Sequence, residues 1–296
     1  MRPASSQILF TTLSGLGCGL MVFLGLVGAH GAEGGWVAVT YCALALALSG
    51  AGLIAFAAPP RRPENALRAP SRRRVARLSR EGALAVATVA VFALYAAIWA
   101  FGWARSPLLG ATAALLAVAT VVSTAMAHAR LTEAPRWAHW STPALFLSMA
   151  LAGGALLAGE TILGAILLTV GLGLQLLNWR KGDEAAAAEA LGADADPGAA
   201  GDLGRSEGAD AGRAPFENDM IGRVGRGRSA SLRRIAVILG YAIPAVVFFT
   251  LESWPMKHWA AGLALMCHVA GVLCSRWLFY AEAGHVVGLS DDRGAG

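Results

Sequence analysis

The chain has 296 residues, of which 56% are hydrophobic and 15% charged, and a mean hydropathy of +0.56. That is too apolar and too weakly charged for an ordinary soluble domain of this length, so the composition points to an integral membrane protein. The formal net charge of +5 comes almost wholly from arginine, since the only lysines are Lys181 and Lys257; gathered in loops, these arginines argue for membrane orientation or an acidic partner and not for nucleic acid.

Apolar stretches of about 20 residues, enough to cross a bilayer as a helix, occupy residues 8–29, 36–58, 83–103, 108–127, 140–158, 162–179, 235–251 and 259–279. They predict an all-α polytopic bundle of about eight transmembrane helices. The first follows Arg2 and ends in small residues, as a secretory leader would, but its apolar part is too long for one and another span follows at once, so a retained helix is expected. Only Gly159-Glu160-Thr161 separates the fifth and sixth stretches, and the seventh is short and interrupted by Pro244. Proline is tolerated in membrane helices where neighbours satisfy the freed carbonyl.

Three regions follow. Residues 1–180 form a six-span region that includes a basic loop at 59–81 carrying eight arginines. Residues 181–220 are rich in Ala, Gly and acidic side chains without apolar periodicity, as in a disordered linker. Residues 221–296 hold a basic foot, including Arg223, Arg226, Arg228, Arg233 and Arg234, and the last two spans. By the positive-inside rule the arginine-rich loops and both termini are expected on the cytoplasmic side.

The cofactor chemistries that a membrane bundle can host leave signatures in titratable residues. Cys18, Cys42, Cys267 and Cys274 all lie in apolar runs without a Cys-x-x-Cys pair, which excludes a disulfide framework, a zinc site and an iron–sulfur cluster within this chain. Five of the six histidines lie at span ends or in loops, so the facing axial pair that a haem needs is missing. His268 is inside a span and reads as a helix-packing or hydrogen-bonding group. Neither lysine is placed to form a retinal Schiff base. A transporter would place ionisable residues or broken helices near the midplane, whereas the charges here stop at the span edges; Gly15, Gly17, Gly19, Gly171 and Gly173 read as close helix packing. Near the C-terminus, Glu282 and His285 share a helix face and are expected to pair locally.

Glu81 stands apart. In Ser79-Arg80-Glu81-Gly82 it lies where the arginine loop turns into the third apolar run, and a carboxylate at the mouth of a membrane helix is a site hypothesis by default. One reading pairs it with Arg77 in an exposed i, i+4 ion pair worth a few tenths of a kcal/mol. The other makes it a proton-accepting group that hydrogen-bonds a hydroxyl or carbonyl. Both readings stand on the residues alone.

Four segments in order, residues 3–15, 62–69 continuing to 78–82, 137–146 and 276–287, resemble the membrane anchor subunit of the dimethyl sulfoxide reductase family. The resemblance covers most of the chain and is least in the linker. It implies an eight-helix subunit with no haem or iron–sulfur cluster of its own, which holds a four-cluster iron–sulfur subunit and a molybdopterin catalytic subunit at the bacterial inner membrane and oxidises menaquinol. In the family a glutamate at the start of the third helix takes part in quinol binding, and Glu81 occupies that position. Where the family loop often reads His-Leu-Gly-Arg-Pro, this chain has Pro59-Pro60-Arg61-Arg62-Pro63, so the histidine linked to quinol chemistry is missing; Gly284 stands for a common arginine and Gly227-Arg228 for a usual Lys-His. The implied quinol site is Glu81 with Arg80 or Tyr41, and Arg61, Arg62, Arg72, Arg73 and Arg74 would dock the partner or lipid headgroups. The alternatives are a purely structural anchor that has lost its quinol site and a small-solute transporter.

Overall fold

A computed structural model of the chain describes residues 5–28, 35–57, 72–101, 106–130, 135–195, 229–250 and 257–290, with backbone alone at 5–6, 56–57, 72–81, 135, 186, 189–195, 257–258 and 283–290. All regular structure among the described residues is helical. In chain order the long helices are α1 (Ser5–Leu26), α2 (Gly35–Ala57), α3 (Arg72–Ala100), α4 (Pro107–Ala129), α5 (Ser141–Ala158), α6 (Thr161–Ala195), α7 (Ser229–Thr250) and α8 (Lys257–Ser290). Each contains a span long and apolar enough to cross a membrane, eight in all among the described residues. Successive spans therefore alternate in direction, which sets Arg130, Arg136, Arg180 and Arg233 at one end.

The two ambiguous boundaries resolve through local backbone chemistry. Gly159 adopts a left-handed conformation (φ 78°), Glu160 N–H donates to Ala155 O at 2.9 Å and Gly159 N–H to Leu156 O at 3.4 Å, a Schellman closure that ends α5 before α6 begins at Thr161. In α7 a π-helical turn, Ile238–Ala242, precedes Pro244 and keeps the helix continuous. Proline has no N–H to return to the carbonyl four residues back, here Gly240, and that carbonyl accepts from His268 Nδ1 at 2.6 Å.

α1 and α5 form the centre, with 72% of each span buried against about 28–44% for the others. They cross so closely that a Cβ at Gly19 would strike the Ala150 backbone and one at Gly154 the Gly19 backbone; with no hydrophobic drive between helices in lipid, this contact of small residues supplies the packing. Gly271 does the same between α8 and α7, where an added Cβ would strike the Gly240 backbone. Gly15, Gly17 and Gly171 also face neighbouring helices, but Gly173 meets nothing within 4 Å. One core cluster joins α1–α4 to α5 through Leu20, Met21, Leu24, Phe92 and Tyr95. A second joins α5–α8 through Leu145, Met149, Leu168, Tyr241 and Phe248. Large exposed side chains such as Trp36, Phe101, Leu108, Phe249 and Trp259 sit at the arginine-poor end, as an interfacial belt requires.

α6 departs from expectation. It continues to Ala195, so the segment expected as linker from residue 181 begins as helix. Alanine and glutamate are good helix formers, and Arg180 and Lys181 both reach Glu184 at 2.9 Å.

Candidate functional site

Tyr41 is partly buried and packs against the α1–α4 core. It lies six residues into α2, and because spans alternate, that is the opposite end of the bundle from the start of α3, where Glu81 lies; some 15 residues of helix, about 22 Å, separate Tyr41 from that end. The fold therefore does not bring these two together. Arg72, Arg73, Arg74, Arg80 and Glu81 fall on the first turns of α3 with side chains outside the described set, and Arg61 and Arg62 lie outside the described residues.

At the same, arginine-rich end, an ion-pair cluster ties four elements together. Arg233 of α7 donates to both carboxylate oxygens of Asp183 on α6, at 2.7 and 2.9 Å, and to Glu282 of α8 at 2.9 and 3.2 Å. Arg136, in the short 3-10 turn Pro135–Trp137, pairs with Asp183 and reaches Glu282 at 3.3 Å. Glu282 thus takes partners across the bundle, two guanidiniums from other elements; His285, its expected local partner, has its side chain outside the described set. Arg233, counted in the basic foot, is likewise turned inward, 5.3 Å from the Trp179 ring.

Beneath the cluster runs a seam of buried polar side chains. Asn178 donates to Ser141 Oγ at 3.0 Å and Thr142 Oγ1 at 3.2 Å, and Thr142 donates to Trp137 O. Gln175 Oε1 accepts from Ser275 at 2.7 Å and Tyr241 at 3.3 Å. Trp137 stacks on Phe279 (4.8 Å, 5°) and donates to its carbonyl, while Tyr280 meets His128 Nε2 at 3.0 Å. The segment 137–146 that marks the sequence is therefore the knot joining α5, α6 and α8.

Arg276 occupies the centre of this seam. Charges were expected to stop at the span edges, yet Arg276 lies inside the span Trp259–Glu282 and is only 3% exposed. α8 continues well past it, so the guanidinium cannot reach the helix end and is turned into the bundle. It sits over the Phe146 ring at 3.3 Å, and its Nε has no hydrogen-bond partner. Two cavities of about 20 Å³ flank it. The inner one is lined by Thr12, Phe146, Met149 and His268, the outer by Arg136, Gln175, Asn178, Ser275 and Glu282. Sequence reasoning missed this group, although His268, Val272, Ser275, Arg276 and Phe279 recur at helical spacing on one face of α8.

Fold and seam together define a polytopic helical membrane protein with an ionisable interior. The chain is similar to a subunit of the sulfite dehydrogenase of Allochromatium vinosum (strain ATCC 17899 / DSM 180 / NBRC 103801 / NCIMB 10441 / D), 28% identical over 322 aligned positions that cover 96% of this chain and 97% of the relative. No family model matches the chain, and no solved structure matches it.

Proposed function

We propose that this chain is the membrane anchor subunit of a molybdopterin oxidoreductase complex in a bacterial inner membrane, where it exchanges electrons between menaquinol and a four-cluster iron–sulfur subunit. The observation that carries this reading is the end-to-end similarity to a subunit of sulfite dehydrogenase, on a chain with eight spans. The segments that resemble the dimethyl sulfoxide reductase anchor add support from residues along the whole chain.

In this reading Glu81, at the mouth of α3, hydrogen-bonds a quinol hydroxyl and accepts its proton, with Arg80 beside it in sequence. A quinol that loses two electrons also releases two protons, so the carboxylate takes the first and must pass it to solvent at the interface. Arg61, Arg62, Arg72, Arg73 and Arg74 supply the basic surface for the iron–sulfur subunit or for lipid headgroups. Tyr41 belongs to the packing of α2.

The direction of electron flow has two versions. A reductase draws electrons from menaquinol, whereas the relative's name, a sulfite dehydrogenase, denotes an oxidation whose electrons would flow to a quinone. One carboxylate site serves both, releasing the proton in one direction and taking it up in the other. The test is the assembled complex in its membrane, assayed for quinol oxidation and for quinone reduction, with the wild type and Glu81→Gln compared. Loss of quinone-analogue binding and of turnover in Glu81→Gln, with partner subunits still attached, is the expected result. Unchanged binding and turnover would remove Glu81 from the site, and attached partners with no quinone-linked activity in the wild type would leave a purely structural anchor.

A further inference from the structure

We infer that the two cavities beside Arg276 hold ordered water, which hydrates the interior of the bundle between its arginine-rich end and His268. The inference rests on the described interior and is independent of the quinol site.

Size sets the class of occupant. Each cavity is about 20 Å³, and one water needs about 10–15 Å³ on this measure. A ring-bearing ligand does not fit, and a single water does.

Hydrogen-bond polarity then selects among small occupants. Gly240 O can only accept, so His268 Nδ1, 2.6 Å away, carries the proton of that hydrogen bond. The Met149 carbonyl also approaches the ring, without completing a hydrogen bond to Nε2. Arg276 Nε can only donate. Both nitrogens, and Thr12 Oγ1, are buried without a hydrogen-bond partner, and all three residues line the inner cavity. An occupant beside Arg276 must therefore accept a hydrogen bond, and one beside His268 must pair with the ring nitrogen. A metal cation is repelled by the guanidinium. Water meets both demands, and Thr12 can take either role.

Continuity comes from α8. Arg276 lines both cavities, and the outer one reaches Glu282, whose side chain is 15% exposed. From Glu282 to His268 is 14 residues, about 21 Å of helix, some two thirds of a hydrocarbon core of about 30 Å. Gln175, Asn178 and Ser275 line the outer cavity, whereas Leu16, Phe146 and Met149 wall much of the inner one. The two water sites thus hydrate the bundle interior on either side of Arg276. They also give the guanidinium Nε the partner that its burial in a low-dielectric interior demands.

Hydroxyl-radical footprinting of the full-length chain in lipid nanodiscs, irradiated in 18O-water, tests this directly, because radicals formed from bound water label the side chains beside it. Met149 and Phe146 line the inner cavity, whereas Met21 and Phe92 are equally enclosed in the α1–α4 core. The expected result is label at Met149 and Phe146 roughly tenfold faster than at Met21 and Phe92, with 18O incorporated. Equal rates in the two pairs would overturn the proposal. In folded Arg276→Met, which keeps the stem and removes the guanidinium, labelling of Met149 should fall toward that of Met21; labelling unchanged from wild type would refute the role of Arg276 in holding the water.

Discussion

In the α1–α4 half of the bundle, the buried polar side chains are small hydroxyls, Thr11, Thr12, Ser49, Thr88, Thr120 and Thr124. Thr88 donates to Leu84 O on its own helix and meets Thr120 at 2.7 Å, Thr120 donates to Leu116 O, and the core cluster of that half is built of Leu, Val, Met, Phe, Tyr, Trp, Cys and Ala. In the α5–α8 half, Asn178, Gln175, Tyr241 and Ser275 find their partners on other helices, and Arg276 lies against an aromatic face with its Nε unanswered. Shape alone can hold the first half, since apolar side chains lose nothing by facing lipid and gain only from contact. The second must keep its helices in register to satisfy groups that lipid cannot solvate. The same bilayer thus supports a packed scaffold and a polar interior side by side, joined where α1 crosses α5.

Substitutions can break or sharpen that contrast. The largest effect is expected at the junction itself: Gly19→Leu drives a side chain into the Ala150 backbone, and because neither backbone can yield without parting the halves, folded monodisperse protein should be lost in size-exclusion chromatography. Next comes Phe92→Ala in the scaffold half, where a fully buried ring is removed; a cavity of that kind costs about 3–5 kcal/mol, measurable by unfolding in mixed micelles. Gln175→Leu should cost about 1–3 kcal/mol in the same assay by stranding two buried hydroxyls, Ser275 and Tyr241. Gln175→Glu, which keeps the acceptor, should restore most of that loss if the hydroxyls are what matters. Arg233→Ala is the smallest, on the order of 1 kcal/mol, because the pairs with Asp183 and Glu282 are only partly buried. Its effect should shrink in high salt, whereas the Gln175 effect should not, since salt screens exposed charges and leaves buried neutral hydrogen bonds alone.

Much of the architecture is legible in residue order. All eight spans follow from apolar length, because a bilayer demands about 20 residues per crossing whatever the packing, and the seventh emerges at full length once the helix is seen to start at Ser229 and run through Pro244. Gly159 shows as a helix stop from its type and position. The interior was far less readable. Arg276 looks like one more arginine near a helix end, and only the continuation of α8 and the packing of α5 over it turn the guanidinium inward. Likewise Glu282 pairs with Arg136 and Arg233, 146 and 49 residues away, and nothing along the chain announces these partners. Tyr41 and Glu81 show the reverse error: both are suitable hydrogen-bonding groups, yet alternation of the spans sets them at opposite ends.

What the sequence determined by itself is how many times this protein crosses the membrane, where its arginines gather and which carboxylate stands at the mouth of the third helix, because length, hydropathy and charge act locally along the chain. Which polar groups face one another was decided only by tertiary structure. A side chain's partner depends on helix rotation and crossing, and these are set by contacts such as Gly19 with Gly154 and Gly240 with Gly271, where two backbones meet and no single segment carries the information.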